Sequence, residues 1–180
     1  MLELVIPANE LWDEEKQEFI QTEEYKLLLE HSLVSLSKWE SKWNKEFLSK
    51  KPKTLEESLD YIKCMTLTPN VSPEVYRQIT DKNIAEVNKY IEAPMTATHI
   101  SDNRKSGVNR EIVTSELIYY WMISLNIPFE CQNWHLNRLI TLIKVCNIKN
   151  TPPKKMSRRS IMSRNAALNA ARRKQFNSNG

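Results

Sequence analysis

Leu29-Glu30-His31-Ser32-Leu33-Val34-Ser35-Leu36-Ser37-Lys38-Trp39-Glu40-Ser41-Lys42-Trp43 is the stretch whose reading decides the fold class. Leu29, Leu33, Leu36, Trp39 and Trp43 recur at intervals of three and four, the spacing of one helical face. Upstream, Thr22-Glu23-Glu24-Tyr25 supplies a capping threonine and two carboxylates for the positive end of a helix dipole. The expected helix therefore opens at Thr22-Glu23-Glu24-Tyr25 with Thr22 as its cap, runs for about six turns, and is broken by Lys50-Lys51-Pro52-Lys53.

Working outward, helix signals continue along the chain. Thr54-Leu55-Glu56-Glu57 matches a capping box and starts a helix to about Met65. Ser72-Pro73-Glu74 places proline at a first helical position, and Asp81 is the expected cap of a helix through Ile84, Val87 and Ile91. Residues 111–125 read as a helix apolar on nearly every side (Leu117, Ile118, Tyr119, Tyr120, Trp121, Met122, Ile123), fit for a bundle centre or an oligomer interface. Asn133 is the expected cap of a helix with Leu136, Leu139, Ile140 and Ile143 on one stripe, stopped by Pro152-Pro153. Before all of these, Leu2-Glu3-Leu4-Val5-Ile6 alternates and ends at Pro7, which predicts a short strand. Gln17 to Thr22 is its expected partner. The fold class is mainly α: a helical bundle with a short N-terminal β-hairpin and a basic C-terminal helical tail. Residues 1–150 form the expected helical domain, with a possible subdivision in the 94–108 loop, and residues 151–180 a tail that is helical or becomes ordered on binding.

Charge is divided unevenly. All 22 acidic residues fall between Glu3 and Glu130, where 15 Lys and Arg leave a net −7; from Cys131 onward there are 11 basic residues and no acid. The two regions thus face different partners, or each other. No apolar run nears the roughly 20 residues of a membrane span; the longest, Leu117 to Ile123, is far too short. Met1 to Pro7 lacks a signal-peptide pattern. Three widely spaced cysteines argue against a disulfide framework, so a reduced, cytosolic protein is expected.

The residues offer little for catalysis. Only two glycines occur, Gly107 and Gly180, too few for a dinucleotide fingerprint or a phosphate-cradling loop. Cys131 and His135 are four apart, with Cys146 and His99 elsewhere, but zinc is announced by two short ligand pairs. His31, His99 and His135 sit in no local nucleophile signature, and Glu14-Glu15, Glu23-Glu24 and Glu56-Glu57 lie at or before expected helix starts. No catalytic, cofactor or metal residue is assigned, and a non-enzymatic protein is expected.

Interaction residues are the better candidates. Trp39 and Trp43 share a helical face; core packing is the first explanation, and an exposed pair would be an interface anchor. Tyr120 and Trp121 are candidates on the apolar helix. Arg158, Arg159, Arg164, Arg172 and Arg173 lie in a tail without acid, Trp or Tyr. That tail suits an acidic protein surface, including the acidic segment of a neighbouring copy, or nucleic acid, or simple solvation. Single-strand binders interleave stacking aromatics, and only Phe176 is present, which lowers the nucleic-acid reading.

Several stretches carry a resemblance. Residues 29–43, Tyr90-Ile91-Glu92-Ala93-Pro94-Met95-Thr96-Ala97-Thr98, Trp134-His135-Leu136-Asn137-Arg138-Leu139 and Met162-Ser163-Arg164-Asn165-Ala166-Ala167-Leu168-Asn169 resemble small proteins from the late structural clusters of phages of Gram-positive bacteria. The chain is similar to their tail assembly chaperones. The resemblance implies a protein that binds the tape measure protein, helps recruit tail tube subunits in the host cytoplasm, and is absent from the mature virion. A homo-oligomer is expected. Alternatives are a virion or head-assembly structural protein, connector or scaffold-like, and a nucleic-acid-binding module acting through the basic tail.

Overall fold

The computed structural model describes residues 1–13, 17–49, 51–100, 112–151 and 157–177. Two compact units divide the chain, Met1–Asn147 and Ile148–Gly180. The fold is mainly helical, with an N-terminal antiparallel ribbon and a C-terminal helix.

The ribbon contains β1 (Leu2–Ile6), β2 (Glu10–Asp13), β3 (Glu18–Gln21) and β4 (Tyr25–Leu29). β1 pairs with β4, from Leu2 opposite Leu29 to Ile6 opposite Tyr25, and β2 pairs with β3, from Glu10 opposite Gln21 to Asp13 opposite Glu18. The two numbers of every pair sum to 31, so both ladders are one hairpin in one register. Its interruption falls at Pro7, which has no N–H to give. Pairing resumes where the Thr22 N–H donates to the Asn9 carbonyl at 2.9 Å and the Asn9 N–H donates to Thr22 Oγ1 at 3.0 Å.

Two expectations are corrected here. Gln17 to Thr22 is not the partner of β1; its strand residues pair with β2. The helix expected to open at the Thr22 cap begins only after Ser32, because Tyr25, Leu27 and Leu29 face inward on alternate positions of β4. With Leu4 and Ile6 opposite, Leu27 and Leu29 are fully buried, while Val5 and Leu28 point outward. Leu29 and Leu33 are four apart, which satisfies a helical stripe by count although the first lies on a strand.

Both edges of the β1–β4 pair are covered, as a soluble sheet edge requires. Residues 65–68 run along β4: Glu30 N–H donates to the Met65 carbonyl at 2.9 Å and Leu67 N–H to the Leu28 carbonyl at 2.8 Å. On β1, Asn83 Nδ2 donates to the Val5 carbonyl at 2.9 Å.

α1 (Leu33–Trp43) starts at a capping box in which Ser35 N–H donates to Ser32 Oγ at 3.2 Å and Ser32 N–H to Ser35 Oγ at 2.9 Å. It stops at Asn44, whose φ of 51° is left-handed, six residues before the expected break at Lys50. α2 (Leu55–Met65) begins at the Thr54/Glu57 box as expected and buries Tyr61, Ile62 and Met65. α3 (Pro73–Arg77) follows the Ser72 cap. α4 (Asp81–Glu92) is capped by Thr80, one residue earlier than expected. The 94–108 subdivision falls partly on residues 101–108, which lie outside the described residues.

α5 (Ser115–Ser124) buries Ser115, Ile118 and Met122 only, so of the two expectations for this apolar helix the bundle centre is corrected and its outer face is left exposed. A 3-10 turn (Phe129–Asn133), not an Asn133 cap, precedes α6 (Leu136–Asn150), whose inward stripe is Leu136, Leu139 and Ile143. In the second unit, α7 (Arg158–Gln175) is capped by Ser157 and buries no residue.

Candidate functional site

The tryptophan pair on α1 is committed to α2. Trp39 is 1% exposed and its Nε1–H donates to the Glu57 carbonyl at 2.9 Å. Trp43, half-buried, stacks on it with ring centroids 6.1 Å apart and donates from Nε1 to Asp60 Oδ2 at 2.9 Å. Lys42 pairs with Asp60 and Lys45 with Glu57. Burial raises the Asp60 pKa, but the Lys42 and Trp43 hydrogen bonds outweigh it and hold the carboxyl below its ordinary value. Lys45, with the Thr54 backbone, likewise lowers Glu57. Trp39 is therefore a core residue, the first of the two explanations for the pair, and not an exposed interface anchor, since almost none of its ring is accessible and its N–H is occupied.

A second cluster was not singled out as a site in the sequence. His31, in the link from β4 to α1, and His135, just before α6, lie with ring centroids 5.1 Å apart. His31 Nδ1 is 2.6 Å from the Tyr61 hydroxyl. His135 Nε2 lies 3.1 Å from the Tyr90 carbonyl and its Nδ1 is 3.3 Å from the Asn137 N–H. A carbonyl needs a donor and an N–H needs an acceptor, so His135 is the neutral Nε2–H tautomer. Burial and the neighbouring His135 push His31 down to about 3, and burial lowers His135. The Tyr90 hydroxyl donates to Glu30 Oε1 at 2.7 Å; burial, then Glu30, raises its pKa, and burial alone leads the rise at Tyr61. These groups hold their protons in place. Leu136 N–H also donates to the His31 carbonyl at 2.7 Å, so the pair joins the ribbon to α2, α4 and α6.

Three cysteines are free thiols, and burial raises Cys64 and Cys131 above the usual range. With both His135 nitrogens engaged, the Cys131/His135 pair is a packing feature. No protein-family model, curated protein or solved structure matches the chain.

The outward surfaces are elsewhere. On α5, Tyr120 is 63% and Ile123 60% exposed, three residues apart on one face; Trp121 is half-buried against the core. Ile112 and Phe129, before and after α5, are also exposed. From Ile112 to Asn137 the only charged residues are Glu116 and Glu130. Ile123 belongs to the apolar helix singled out in the sequence, whereas Ile112 and Phe129 were missed because exposure of an apolar residue has no sequence signal of its own. Arg138 is held over the Trp134 ring at 4.1 Å.

On α7, Arg158, Arg159, Arg164, Arg172 and Arg173 are all exposed, as are Ile161, Met162, Leu168 and Phe176. Arg158 and Arg159 occupy the first turn, against the dipole, and Arg172, Arg173 and Lys174 the last turn, with it. Among the described residues no helix is long and apolar enough to cross a membrane.

Proposed function

We propose that this chain is a non-enzymatic assembly factor, a phage tail assembly chaperone that binds the tape measure protein and helps recruit tail tube subunits in the host cytoplasm. The observation that carries the reading is α7: 18 residues of helix with none buried, mixing six basic side chains with exposed Ile161, Met162 and Leu168. A helix of that length gains most of its stability from tertiary contact, so one exposed throughout is built for a partner. Its charge favours an acidic partner. The Tyr120/Ile123 face of α5 offers a second apolar surface for a helical client or for a homo-oligomer.

Affinity capture of the tagged chain from infected cells tests this. Tape measure protein and tail tube protein should be recovered, and the chain should be missing from purified particles. Stoichiometric presence in particles would instead make it a virion or head-assembly component. The all-basic charge of α7 keeps a nucleic-acid reading in play. It predicts binding to duplex or single strands that weakens steeply with salt and disappears on truncation after Asn150; no binding at low salt removes it.

A further inference from the structure

An open-sided hollow of about 210 Å³ lies beside the link from α1 to α2, its lining including Trp39, Lys45, Lys51, Pro52, Lys53 and Thr54. We propose that this hollow is a binding site for a monocarboxylate carrying an apolar group.

Its charges are unequal. Three lysines line it against two carboxylates, Glu46 and Glu57. Both carboxylates are engaged: Glu57 holds Lys45 through Oε1 and the Thr54 N–H through Oε2, and Glu46 holds Lys51 at 2.8 Å. Lys53 has no carboxylate within ion-pair distance among the described residues. Its ammonium stands 4.3 Å from the centre of the Phe47 ring, and burial pushes its pKa down, with only a partial offset from Glu57. A partly dehydrated cation lacking a counter-ion gains from an anion brought to it. One uncompensated positive charge matches a monoanion better than a dianion.

The walls specify the rest. Pro52 and the little of Trp39 that is accessible line the hollow together with Lys53, the mixed lining of small-ligand sites. Lys45 and Lys51 are already tethered, so little side-chain freedom is lost when an anion arrives. The location is also distinctive, because residues 1–147 hold 17 basic and 22 acidic residues and are net −5. An anion site there is built by local geometry and owes nothing to the field of the unit.

The test uses the full chain labelled with ¹⁵N and titrated with phenylacetate, with phenylacetamide as the neutral isostere and phenyl phosphate as the dianion. The expected result is a saturable shift of the Trp39 indole N–H and Lys53 amide signals, with Kd on the order of 1 mM. Phenylacetamide should bind about tenfold more weakly. Lys53→Met should weaken phenylacetate about fivefold or more with the thermal midpoint unchanged, and Lys53→Arg should restore it. Absence of saturation, equal response to the amide, wild-type affinity in Lys53→Met, or phenyl phosphate binding about tenfold more tightly would each overturn the proposal. Because purified protein and small probes suffice, the outcome is independent of whether the α7 reading stands.

Discussion

Glu40 is the residue whose removal should damage the first unit most per atom lost. It lies in the last turns of α1, only 7% exposed, and serves two backbone groups outside that helix, one of them 75 residues away. Oε1 accepts the Phe47 N–H at 2.9 Å and Oε2 the Ser115 N–H at 2.7 Å. Ser115 is the first residue of α5, whose own N-cap, Thr114, makes no side-chain capping bond. A carboxylate from α1 thus caps α5 against the positive end of its dipole. Hydrogen bonds to charged groups are worth about 1.5–3 kcal/mol each, and a buried donor left unmatched costs about 1–3 kcal/mol. Glu40→Ala should therefore destabilise by about 3–5 kcal/mol. For a unit of this size that is roughly 6–20 °C in melting midpoint, at about 2–4 °C per kcal/mol. Glu40→Gln keeps one acceptor oxygen and turns an N–H₂ toward the other donor, so it should lose about half as much.

Urea titration followed by tryptophan fluorescence and far-UV circular dichroism gives the free energies, and amide exchange locates them. Faster exchange at Ser115 and Phe47 should accompany the loss. A Glu40→Ala cost below about 1 kcal/mol, or unchanged exchange at both amides, would refute the capping assignment.

Other consequences follow from the same geometry. Stability should fall as pH drops below about 6.5, because His31 titrates near 3 when folded and near 6.5 when unfolded. The unfolded chain then binds the extra proton, at up to about 1.4 kcal/mol per pH unit for that histidine. The groups facing the pair are Tyr61, Tyr90 and Glu30, with His135 shifted in the same direction; His31→Gln should flatten the slope of urea midpoint against pH between about 6 and 4. Asp60→Asn should release Lys42 and weaken the Trp43 bond, costing about 1–2 kcal/mol and shifting Trp43 fluorescence to the red. Asn44→Ala should cost about 1 kcal/mol at a left-handed C-cap while Asn44→Gly is neutral or stabilising, read from thermal midpoints.

Local chemistry was the legible part. Thr54/Glu57 and Ser72/Pro73 were readable because a cap needs only residues within one turn, and both helices begin where those residues say. Leu29 was misread because a stripe at spacing four also contains a strand residue when a strand runs straight into a helix. The alternation of Tyr25, Leu27 and Leu29 competed with that stripe, and the Ser32/Ser35 box between them decided the boundary. Glu40 and the His31/His135 pair were invisible for a different reason. Each joins residues 45 or more apart through a single atom or ring, and no periodicity encodes such a meeting.

The charge division illustrates how composition can be correct and still misplace a boundary. Acid ends at Glu130, but the first unit continues to Asn147. Between them lie only Arg138 and Lys144, both on α6 and both exposed. Arg138 spreads over Trp134, while Leu136, Leu139 and Ile143 turn inward. Those two cations are the solvent face of an amphipathic core helix, and their sign says nothing about a partner. The other nine basic residues of the acid-free stretch belong to Ile148–Gly180. There Ile161, Met162 and Leu168 are exposed alongside them, so charge and apolar surface are offered together. On the proposed reading that combination makes α7 a docking helix, because a tail needing only solvation gains nothing from exposed isoleucine, methionine and leucine. Replacing Ile161, Met162 and Leu168 with serine while keeping every arginine separates the two contributions. If the proposed chaperone role holds, capture of the tape measure protein should fall at least as far as when Arg158, Arg159, Arg172 and Arg173 are replaced by glutamine. Full capture by the serine variant would reduce α7 to an electrostatic tether.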